Sequence, residues 1–236
     1  MRIKPETSTQ HQLRDQAVAT ALRDQVANDR RTAHLSLSVR VDRRVAHVEG
    51  AVGSEEERQL VRRLLRNSAG LCAVWDLVTV ADQPLKVMDV GCGRQKQVPW
   101  AVGIDRVEQP GVDVVADIEA SLPFDADAFD HVFAVHVLEH IHDLLGLMRE
   151  LHRVLRPTGV LHVLAPYWRH VHAVADPTHV RYLDGQTFRY FCESRPGQPQ
   201  WRPLMITTTY DTVHADLQPV AGSAAVDRAE IARWFY

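Results

Sequence analysis

The hydrophobic residues in the first part of the chain follow a helical period and then an alternating one. Residues 12–28 have apolar side chains spaced three and four positions apart, which is typical of an amphipathic helix. These side chains are Leu13, Ala17, Val18, Ala21, Leu22 and Val26. Residues 35–41 and 45–52 alternate apolar and polar positions, and the three residues between them predict a turn. The pattern therefore predicts a helix followed by a β-hairpin.

A second helix and a third strand continue this pattern. Ser54 precedes three glutamates, and Ser54 with Glu57 has the spacing of a capping box. The helix that begins there is predicted to run through Arg66 with four apolar side chains facing inward, namely Leu60, Val61, Leu64 and Leu65. Gly70 follows the helix, and residues 72–80 predict a strand. The order helix, strand, strand, helix, strand indicates a small α+β unit.

That order, with Gly50 in the paired strands, the S-E-E-E helix start and Gly70 before the last strand, resembles the BON domain, a small bacterial module. The resemblance covers residues 10–82, so we expect an N-terminal α+β domain at residues 1–82. In that family the module is thought to bind surfaces or partners rather than to catalyse. The resemblance therefore implies docking to a protein partner or formation of a homodimer, with a specific ligand-binding role as the alternative.

After a predicted linker at residues 81–84, apolar strands alternate with helical segments, which indicates parallel βαβ units. The first of these strands runs into the turn Gly91-Cys-Gly93. Three later strands are expected at residues 102–105, 114–118 and 129–136, and each ends in or near an acidic residue or a histidine. Because open α/β sheets bind ligands at the carboxyl ends of their strands, these polar residues are expected at one ligand-binding edge.

Two nucleotide-binding motifs are not matched by this glycine turn. A dinucleotide fingerprint requires a third glycine where Lys96 stands, and its acidic residue follows the glycines by about 20 residues, whereas Asp105 follows Gly93 by only twelve. A P-loop requires a Gly-Lys-Ser/Thr sequence, which does not follow the turn. The turn alone is also compatible with a simple tight turn.

The combined spacing resembles the class I S-adenosylmethionine-dependent methyltransferases, and in particular their type-11 branch. The resemblance rests on Asp89-x-Gly91-x-Gly93, on Asp105, on Asp117-Ile118, and on the phrases H-V-L-E-H at 136–140 and R-V-L-R-P-T-G at 153–159. It implies a Rossmann-like, mainly parallel sheet with antiparallel C-terminal strands in a domain at residues 85–236. It also places a turn before the fifth strand, at residues 151–159.

The resemblance implies S-adenosylmethionine as the cofactor and assigns residues to it. The first motif would surround the methionine part, Asp105 would bind the ribose hydroxyls, and Asp117 with Ile118 would lie beside the adenine. The complete predicted cofactor set is Asp89, Gly91, Cys92, Gly93, Asp105, Arg106, Asp117, Ile118 and His136. The segment after Gly93 is too short for the helix usual in that family, and Pro99 favours an extended loop in which Lys96 and Trp100 border the cofactor.

The acceptor is expected near the histidines that follow the fourth and fifth strands. Histidine suits proton transfer near neutral pH, so His136, His172 and His179 are the predicted catalytic residues. Arg181 and Tyr167 are predicted to bind the acceptor, Arg181 by holding an anionic group.

Two other interpretations of this loop stay open. A metal held by His170, His172, Asp176 and His179 is one of them, although we assign no metal to the site. In the other, Asp176 caps a turn and His179 only packs. His140, His142 and His152 are expected on helix surfaces or in helix packing.

Composition limits the remaining possibilities. The 236 residues are 45% hydrophobic with a formal net charge of −3, which is typical of a soluble globular protein of one or two domains. No apolar run is long enough to span a membrane, and the N-terminus has no apolar signal region. Three separated cysteines favour a reducing, cytoplasmic location. There are 24 arginines and three lysines, but acidic residues outnumber basic ones, so nucleic-acid binding is not predicted.

These observations together predict an enzyme that transfers methyl groups from S-adenosylmethionine to a small-molecule or sugar-derived acceptor, at oxygen or nitrogen. One alternative is methylation of a protein or RNA held by the N-terminal domain. The other is a non-catalytic scaffold that only binds the cofactor.

Overall fold

The computed structural model describes residues 8–81, 83–222 and 225–235. The chain divides into two compact units, residues 1–84 and 85–236. Residues 1–7 and residue 82 lie outside the described residues. The first range includes part of the N-terminus that was predicted to have no signal region, and residue 82 is the expected end of the N-terminal domain. The docking or dimerisation role of the first unit stays a prediction.

The first unit has the predicted order of elements and forms a three-stranded sheet covered by two helices. Strand β2 lies in the centre, antiparallel to β1 and parallel to β3, so helix α2 makes the crossover between the two parallel strands. The elements are α1 (Ser8–Asn28), β1 (Leu37–Asp42), β2 (Val45–Val52), α2 (Glu55–Arg66) and β3 (Ala73–Val80).

The hairpin turn between β1 and β2 is strained and is held by helix α1. Arg43 and Arg44 have φ values of +47° and +66°, which are unfavourable for side chains other than glycine, asparagine and aspartate. The buried carboxylate of Asp15 accepts the backbone N–H of Arg43 at 2.6 Å and that of Arg44 at 3.3 Å. These bonds to the helix compensate for a turn sequence that lacks glycine.

Helix α2 differs from its prediction in two respects. Ser54 accepts the N–H of Glu57 as a cap should, but the Glu57 carboxylate accepts from Gly53 rather than from Ser54, so the capping box is displaced by one residue. Val61 and Leu65 are buried as expected, whereas Leu60 and Leu64 are only half-buried.

The same helix buries a charge that the apolar pattern did not predict. The Arg62 guanidinium is 4% exposed and pairs with the Asp76 carboxylate on β3, with Nη2 at 3.0 Å from Oδ1 and a second contact from Nε.

The second unit contains a seven-stranded sheet in the order β6-β5-β4-β7-β8-β10-β9. The first five of these strands are parallel, and β10 runs antiparallel to both β8 and β9. This arrangement confirms the predicted fold class. The strands are β4 (Val87–Val90), β5 (Val102–Asp105), β6 (Val114–Val115), β7 (Phe129–Val135), β8 (Leu155–Pro166), β9 (Trp201–Thr208) and β10 (Thr212–Pro219).

The helices of this unit supply the core over one face of the sheet. They are α3 (Leu144–Val154), α4 (Val171–Ala175), α5 (Gly185–Cys192) and α6 (Arg228–Phe235), and a single 3-10 turn, Leu138–His140, follows β7. Alternate strand residues such as Val132, Ala134 and Val163 join the side chains of α3, α5 and α6 in one hydrophobic cluster. His152 of α3 packs edge-on against Trp201, which confirms its packing role.

Residues on the other face of the same strands include a buried polar chain. His131 on β7 lies 3.1 Å from His162 on β8, and His162 lies 2.7 Å from the Asp216 carboxylate on β10. All three residues are at most 1% exposed. Their contacts cross three neighbouring strands and therefore help to fix the register of the sheet.

Two elements depart from their predicted bounds. The segment that follows α3 is not a turn, because β8 already begins at Leu155, where it pairs with Phe129. The third strand of this unit is reduced to Val114–Val115, so Asp117 lies two residues beyond its end. Among the helices of the described ranges, none is long and apolar enough to cross a membrane.

We expect Asp76→Ala to destabilise the protein strongly, because it leaves the buried Arg62 guanidinium without its carboxylate. Breaking a buried ion pair from one side typically lowers the free energy of unfolding by about 3–5 kcal/mol. Urea denaturation followed by circular dichroism measures this loss. Asp29→Ala, which removes the carboxylate paired with the exposed Arg31 guanidinium, is the matched control and should have a much smaller effect. Equal losses in the two variants would contradict this account.

Candidate functional site

The carboxyl ends of β4, β5 and β7 meet at one edge of the sheet, because these strands are neighbours and parallel. This brings together the glycine turn after β4, Asp105 at the end of β5 and His136 directly after β7. One contact joins the first two, since the backbone N–H of Gly93 donates to Asp105 Oδ2 at 3.0 Å. The carboxyl end of β6, which pairs in parallel with β5, lies at the same edge, so all four expected strands end there.

The glycine turn needs its two glycines for different reasons. Gly91 has φ +62°, and a Cβ atom there would lie 2.7 Å from the Val137 side chain, so both the backbone angle and the close packing require glycine. Gly93 has φ +54°, but a Cβ atom there would meet nothing within 4 Å. The backbone at Gly93 is thus bordered by open space on the side where a Cβ atom would lie.

Asp89, on β4 just before the glycine turn, fixes the loop that follows the turn. Its carboxylate is 2% exposed and accepts the backbone N–H of Gln97 at 2.5 Å, which holds the loop after the glycine turn. Burial raises the pKa of Asp89 to about 6, although the Gln97 N–H and the charge of Lys96 act in the opposite direction. Asp89 is therefore a loop-positioning residue with an unusually weak acid strength.

Cys92 does not present its thiol to this edge. Its Sγ lies 3.3 Å from the carbonyl oxygen of Gly111, and burial raises the pKa of the thiol to about 11. A thiol in this state is a poor nucleophile. Only the backbone of Cys92 is available for the predicted contact with a cofactor.

Asp105 is half-buried and its two oxygens accept backbone N–H groups, Oδ2 from Gly93 and Oδ1 from Val107 at 3.0 Å. A carboxylate has about four lone-pair positions, so two remain for hydroxyl donors. Its neighbour Arg106 is exposed. Asp105 is thus fixed in orientation and still able to bind a ligand.

The two residues predicted beside an adenine ring differ in exposure. Asp117 is exposed and accepts the N–H of Glu119 at 3.0 Å, while Ile118 is 8% exposed and belongs to the hydrophobic core.

The loop between Gly93 and β5 contains no helix in the described structure, as its length predicted. Lys96 is engaged within this loop, since its Nζ lies 2.8 Å from both the Ala101 carbonyl and the Asp113 carboxylate. The ammonium group is therefore already paired with a carboxylate of the protein, which does not favour its predicted contact with a cofactor carboxylate. Trp100 is 57% exposed.

His136 has the geometry of an oriented acid–base residue. The φ angle of His136 is +56°, a strained, left-handed value, and its backbone N–H donates to the Leu164 carbonyl at 2.8 Å. Its Nδ1 lies 3.2 Å from Oε1 of Glu139, a carboxylate that is 2% exposed, while the imidazole itself is 57% exposed. If Nδ1 carries the hydrogen of this bond, Nε2 is left as the proton acceptor.

The loop after β8 separates the predicted catalytic histidines. His172 lies on α4, is exposed, and packs its ring 4.4 Å from that of His170, which also contacts Tyr210. His179 instead packs against His140, with ring centroids 4.8 Å apart. Within the described chain, the cluster of metal-binding side chains in this region is Glu139, His140 and His179 rather than the four residues considered from the sequence.

The side chain of Arg181 binds backbone carbonyls in the segment after β7. Its Nε donates to the Ile141 carbonyl at 2.7 Å and its Nη2 donates to the His142 carbonyl at 2.5 Å. Two of its five N–H donors are thus used inside the protein, and the second Nη2 hydrogen and the two Nη1 hydrogens remain for the predicted acceptor contact. Tyr167, at the end of β8, is half-buried and bridges to Leu183. His142 is exposed as predicted, with its ring near Glu119.

Sequence reasoning missed Glu139 and the part that His140 plays. Glu139 was visible in the H-V-L-E-H phrase, but nothing local indicated that its carboxylate is buried beside a histidine 40 residues later.

A separate depression of about 480 Å³ lies near the start of β7, away from this edge. Its charged residue Arg153 donates to the Leu122 and Phe124 carbonyls, so we assign no ligand to it.

Two family models match the chain. Residues 88–163 match the methyltransferase domain, of the type-11 branch, and residues 14–82 match the BON domain. The chain is 32% identical to the methyltransferase GfsG of Streptomyces halstedii over 32% of this chain and 36% of that protein. It is 36% identical to the uncharacterized protein YafE of Escherichia coli K12 over 28% of this chain and 37% of that protein. The chain thus spans little more than a third of the length of these relatives.

Two solved structures align with the chain at low sequence identity. A SAM-dependent methyltransferase from Aquifex aeolicus aligns with a TM-score of 0.44 and 16% identity, covering 58% of this chain and 82% of that chain. Geranyl diphosphate C-methyltransferase from Streptomyces coelicolor A3(2) aligns with a TM-score of 0.45 and 14% identity, covering 58% of this chain and 74% of that chain.

The raised pKa of Asp89 predicts a pH dependence of stability. Between about pH 4 and pH 6 the folded state holds a proton that the unfolded chain releases, so this contribution is complete below about pH 4 and is lost as the pH rises through 6. Asp89→Asn keeps an acceptor for Gln97 but does not titrate. The free energy of unfolding of wild type should therefore fall by about 2–3 kcal/mol relative to that of Asp89→Asn between pH 4 and pH 7. Urea denaturation at several pH values measures the difference, and a constant difference would be evidence against the buried acid.

Proposed function

Because the chain carries a methyltransferase domain at residues 88–163 and a BON domain at residues 14–82, we propose that it transfers methyl groups from S-adenosylmethionine. The observation that supports this most directly is the contact between Gly93 N–H and Asp105 at the edge where β4 and β5 end. It joins the open backbone of the glycine turn to a carboxylate with free lone pairs.

The residues present fit S-adenosylmethionine. The space beside Gly93 admits a ligand against the backbone, and Asp105 is oriented by two N–H donors while keeping capacity for two ribose hydroxyls. Gly91, Cys92 through its backbone, Asp117 and Ile118 would complete the pocket wall. When bound, this cofactor supplies an electrophilic methyl group on a sulfonium ion.

His136 is the residue we assign to the acceptor proton. It follows the strand next to β4, its ring is exposed, and Glu139 orients it through Nδ1. An oxygen or nitrogen acceptor must lose a proton when it is methylated, and Nε2 of His136 is free to receive it. His172 and His179 are less suited, because His172 lies in a different cluster and the side chain of His179 is 8% exposed.

The acceptor we propose is a small molecule with a hydroxyl or amine group. An oriented imidazole that can take a proton supports the hydroxyl or amine group, because such a group loses a proton when it is methylated.

Calorimetric titration with S-adenosylhomocysteine tests the cofactor assignment. Wild type should bind it, whereas NAD, the control ligand, should give no heat of binding. Asp105→Ala should weaken the affinity about 5- to 150-fold, equivalent to about 1–3 kcal/mol, because the hydrogen bonds to the ribose are lost. Glu108→Ala, which removes an exposed carboxylate from the same loop, should leave it unchanged. Absence of binding to wild type would contradict the proposed function.

Replacement of His136 tests its role in proton transfer. His136→Gln should lower kcat by roughly 10²- to 10⁴-fold, the usual contribution of a general base, with little change in the affinity for S-adenosylhomocysteine. Transfer of a labelled methyl group to a panel of small alcohols, acids and amines measures the rate. His142→Gln, an exposed histidine nearby, is the matched control. An unchanged kcat in His136→Gln would return His136 to a structural role.

A further inference from the structure

We propose that Glu139, His140 and His179 bind a divalent transition-metal ion of the Zn²⁺ class at the edge of the sheet. One nitrogen or oxygen atom from each of these side chains lies within 4.8 Å of the other two. The binding site itself stands on these contacts alone, while its role in the reaction, given below, rests on the proposed function.

The carboxylate of Glu139 is the first observation that points to a cation. The residue is 2% exposed, and its Oε1 is bonded to His136. Its Oε2 is buried and has no hydrogen-bond partner among the residues that the structure describes. A buried carboxylate oxygen without a donor is unfavourable, and a metal ion would satisfy it.

The orientation of the two histidines is the second observation. Nδ1 of His179 lies 2.9 Å from the Ala173 carbonyl oxygen, and Nδ1 of His140 lies 3.3 Å from that of Thr178. The Thr178 hydroxyl lies 3.1 Å from the same Nδ1, and because it donates its hydrogen to Asp176 Oδ1 at 2.6 Å, its oxygen accepts from the imidazole. A carbonyl accepts a hydrogen bond, so both Nδ1 atoms are assigned as donors and both Nε2 atoms keep a free lone pair. Metal-binding histidines usually have this arrangement, in which the second ring nitrogen donates to a carbonyl.

The protein holds the two parts of the cluster together. The carbonyl oxygen of Glu139 accepts the N–H groups of Val180 at 2.9 Å and Arg181 at 3.3 Å, next to His179. Zinc with bond lengths of about 2.1 Å needs ligand atoms roughly 3.4 Å apart, so the cluster must contract by at most about 1.4 Å. Under the proposal, rotation of the three side chains supplies this movement.

The donor set indicates the class of metal. Two imidazoles and one carboxylate suit Zn²⁺, Fe²⁺, Co²⁺ or Mn²⁺, whereas Ca²⁺ and Mg²⁺ prefer oxygen donors alone. Asp176 is a further carboxylate near the site, with Oδ2 3.9 Å from Nε2 of His179. Three protein ligands leave at least one coordination position open, as in catalytic metal sites.

Under the proposed function, that open position would bind an oxygen atom of the acceptor. Glu139 would then contact both the metal through Oε2 and the base His136 through Oε1. A metal-bound hydroxyl is more acidic than a free one, which would ease its loss of a proton to His136. The inference therefore narrows the acceptors to molecules with a metal-binding hydroxyl, such as hydroxy acids or vicinal diols.

Titration of the full chain with Zn²⁺ tests the site directly. The protein is purified without a histidine tag, treated with a chelator and titrated calorimetrically, and Co²⁺ is added in parallel to record the visible spectrum. We expect one Zn²⁺ per chain. Glu139→Gln, His140→Gln and His179→Gln should each weaken binding by roughly tenfold or more and change the Co²⁺ spectrum.

His142→Gln and His172→Gln are the matched controls, since both residues are exposed histidines close in the sequence. Both variants should bind Zn²⁺ like wild type. Absence of Zn²⁺ binding to wild type, unchanged affinity in all three cluster variants, or a loss in His172→Gln instead would overturn the proposal. Circular dichroism of each variant separates loss of a ligand from loss of the fold.

S-adenosylhomocysteine titration of the same samples separates this proposal from the proposed function. Absence of Zn²⁺ binding to wild type together with normal S-adenosylhomocysteine affinity contradicts only the metal site. Zn²⁺ binding without S-adenosylhomocysteine binding contradicts only the proposed methyl transfer.

Discussion

Burial of the Glu139 carboxylate constrains the whole part of the site that follows β7. Removing a carboxylate from water costs several kcal/mol, so it must be compensated by nearby donors or charges. Its side chain fixes the ring of His136, and its main-chain carbonyl receives the N–H groups of Val180 and Arg181. One residue thereby connects the end of the fourth parallel strand to a loop that follows the fifth.

The other part of the site is organised by backbone donors and acidic acceptors. Asp89 accepts from Gln97, Asp105 from Gly93 and Val107, and Asp117 from Glu119. Each of these carboxylates stands at or just beyond the end of a strand and holds the loop that leaves it. The loops are short and carry no helix between Gly93 and β5, so these bonds replace the packing that a helix would supply. A ligand at this edge would meet rigid turns, which lowers the entropy lost on binding.

The sequence predicted the elements far better than it predicted the contacts between them. Strand β2 has the predicted bounds, because alternation of apolar residues is a local signal. Asp105 and the glycine turn were placed together correctly, because parallel strands end at the same edge. The proximity of Glu139 to His179, with ligand atoms within 4.8 Å, depends on how a loop folds back across 40 residues, which no period in the sequence encodes. The buried chain from His131 to Asp216 was also missed, since histidine and aspartate in a strand ordinarily indicate an exposed face.

Two of the arginines bind backbone carbonyls within the protein. The chain has 24 arginines and three lysines, a ratio that by itself suggests phosphate or nucleic-acid binding. Arg153 and Arg181, however, each donate to two backbone carbonyls of a neighbouring loop. A planar guanidinium can join two carbonyls in this way because its donors lie on three nitrogens held in one plane, whereas lysine offers its donors from a single nitrogen. At Arg181 the two carbonyls belong to the residues directly after His140. An arginine in this position therefore keeps the His140 and His179 loops together, and its charge is used to shape the site rather than to attract a polyanion.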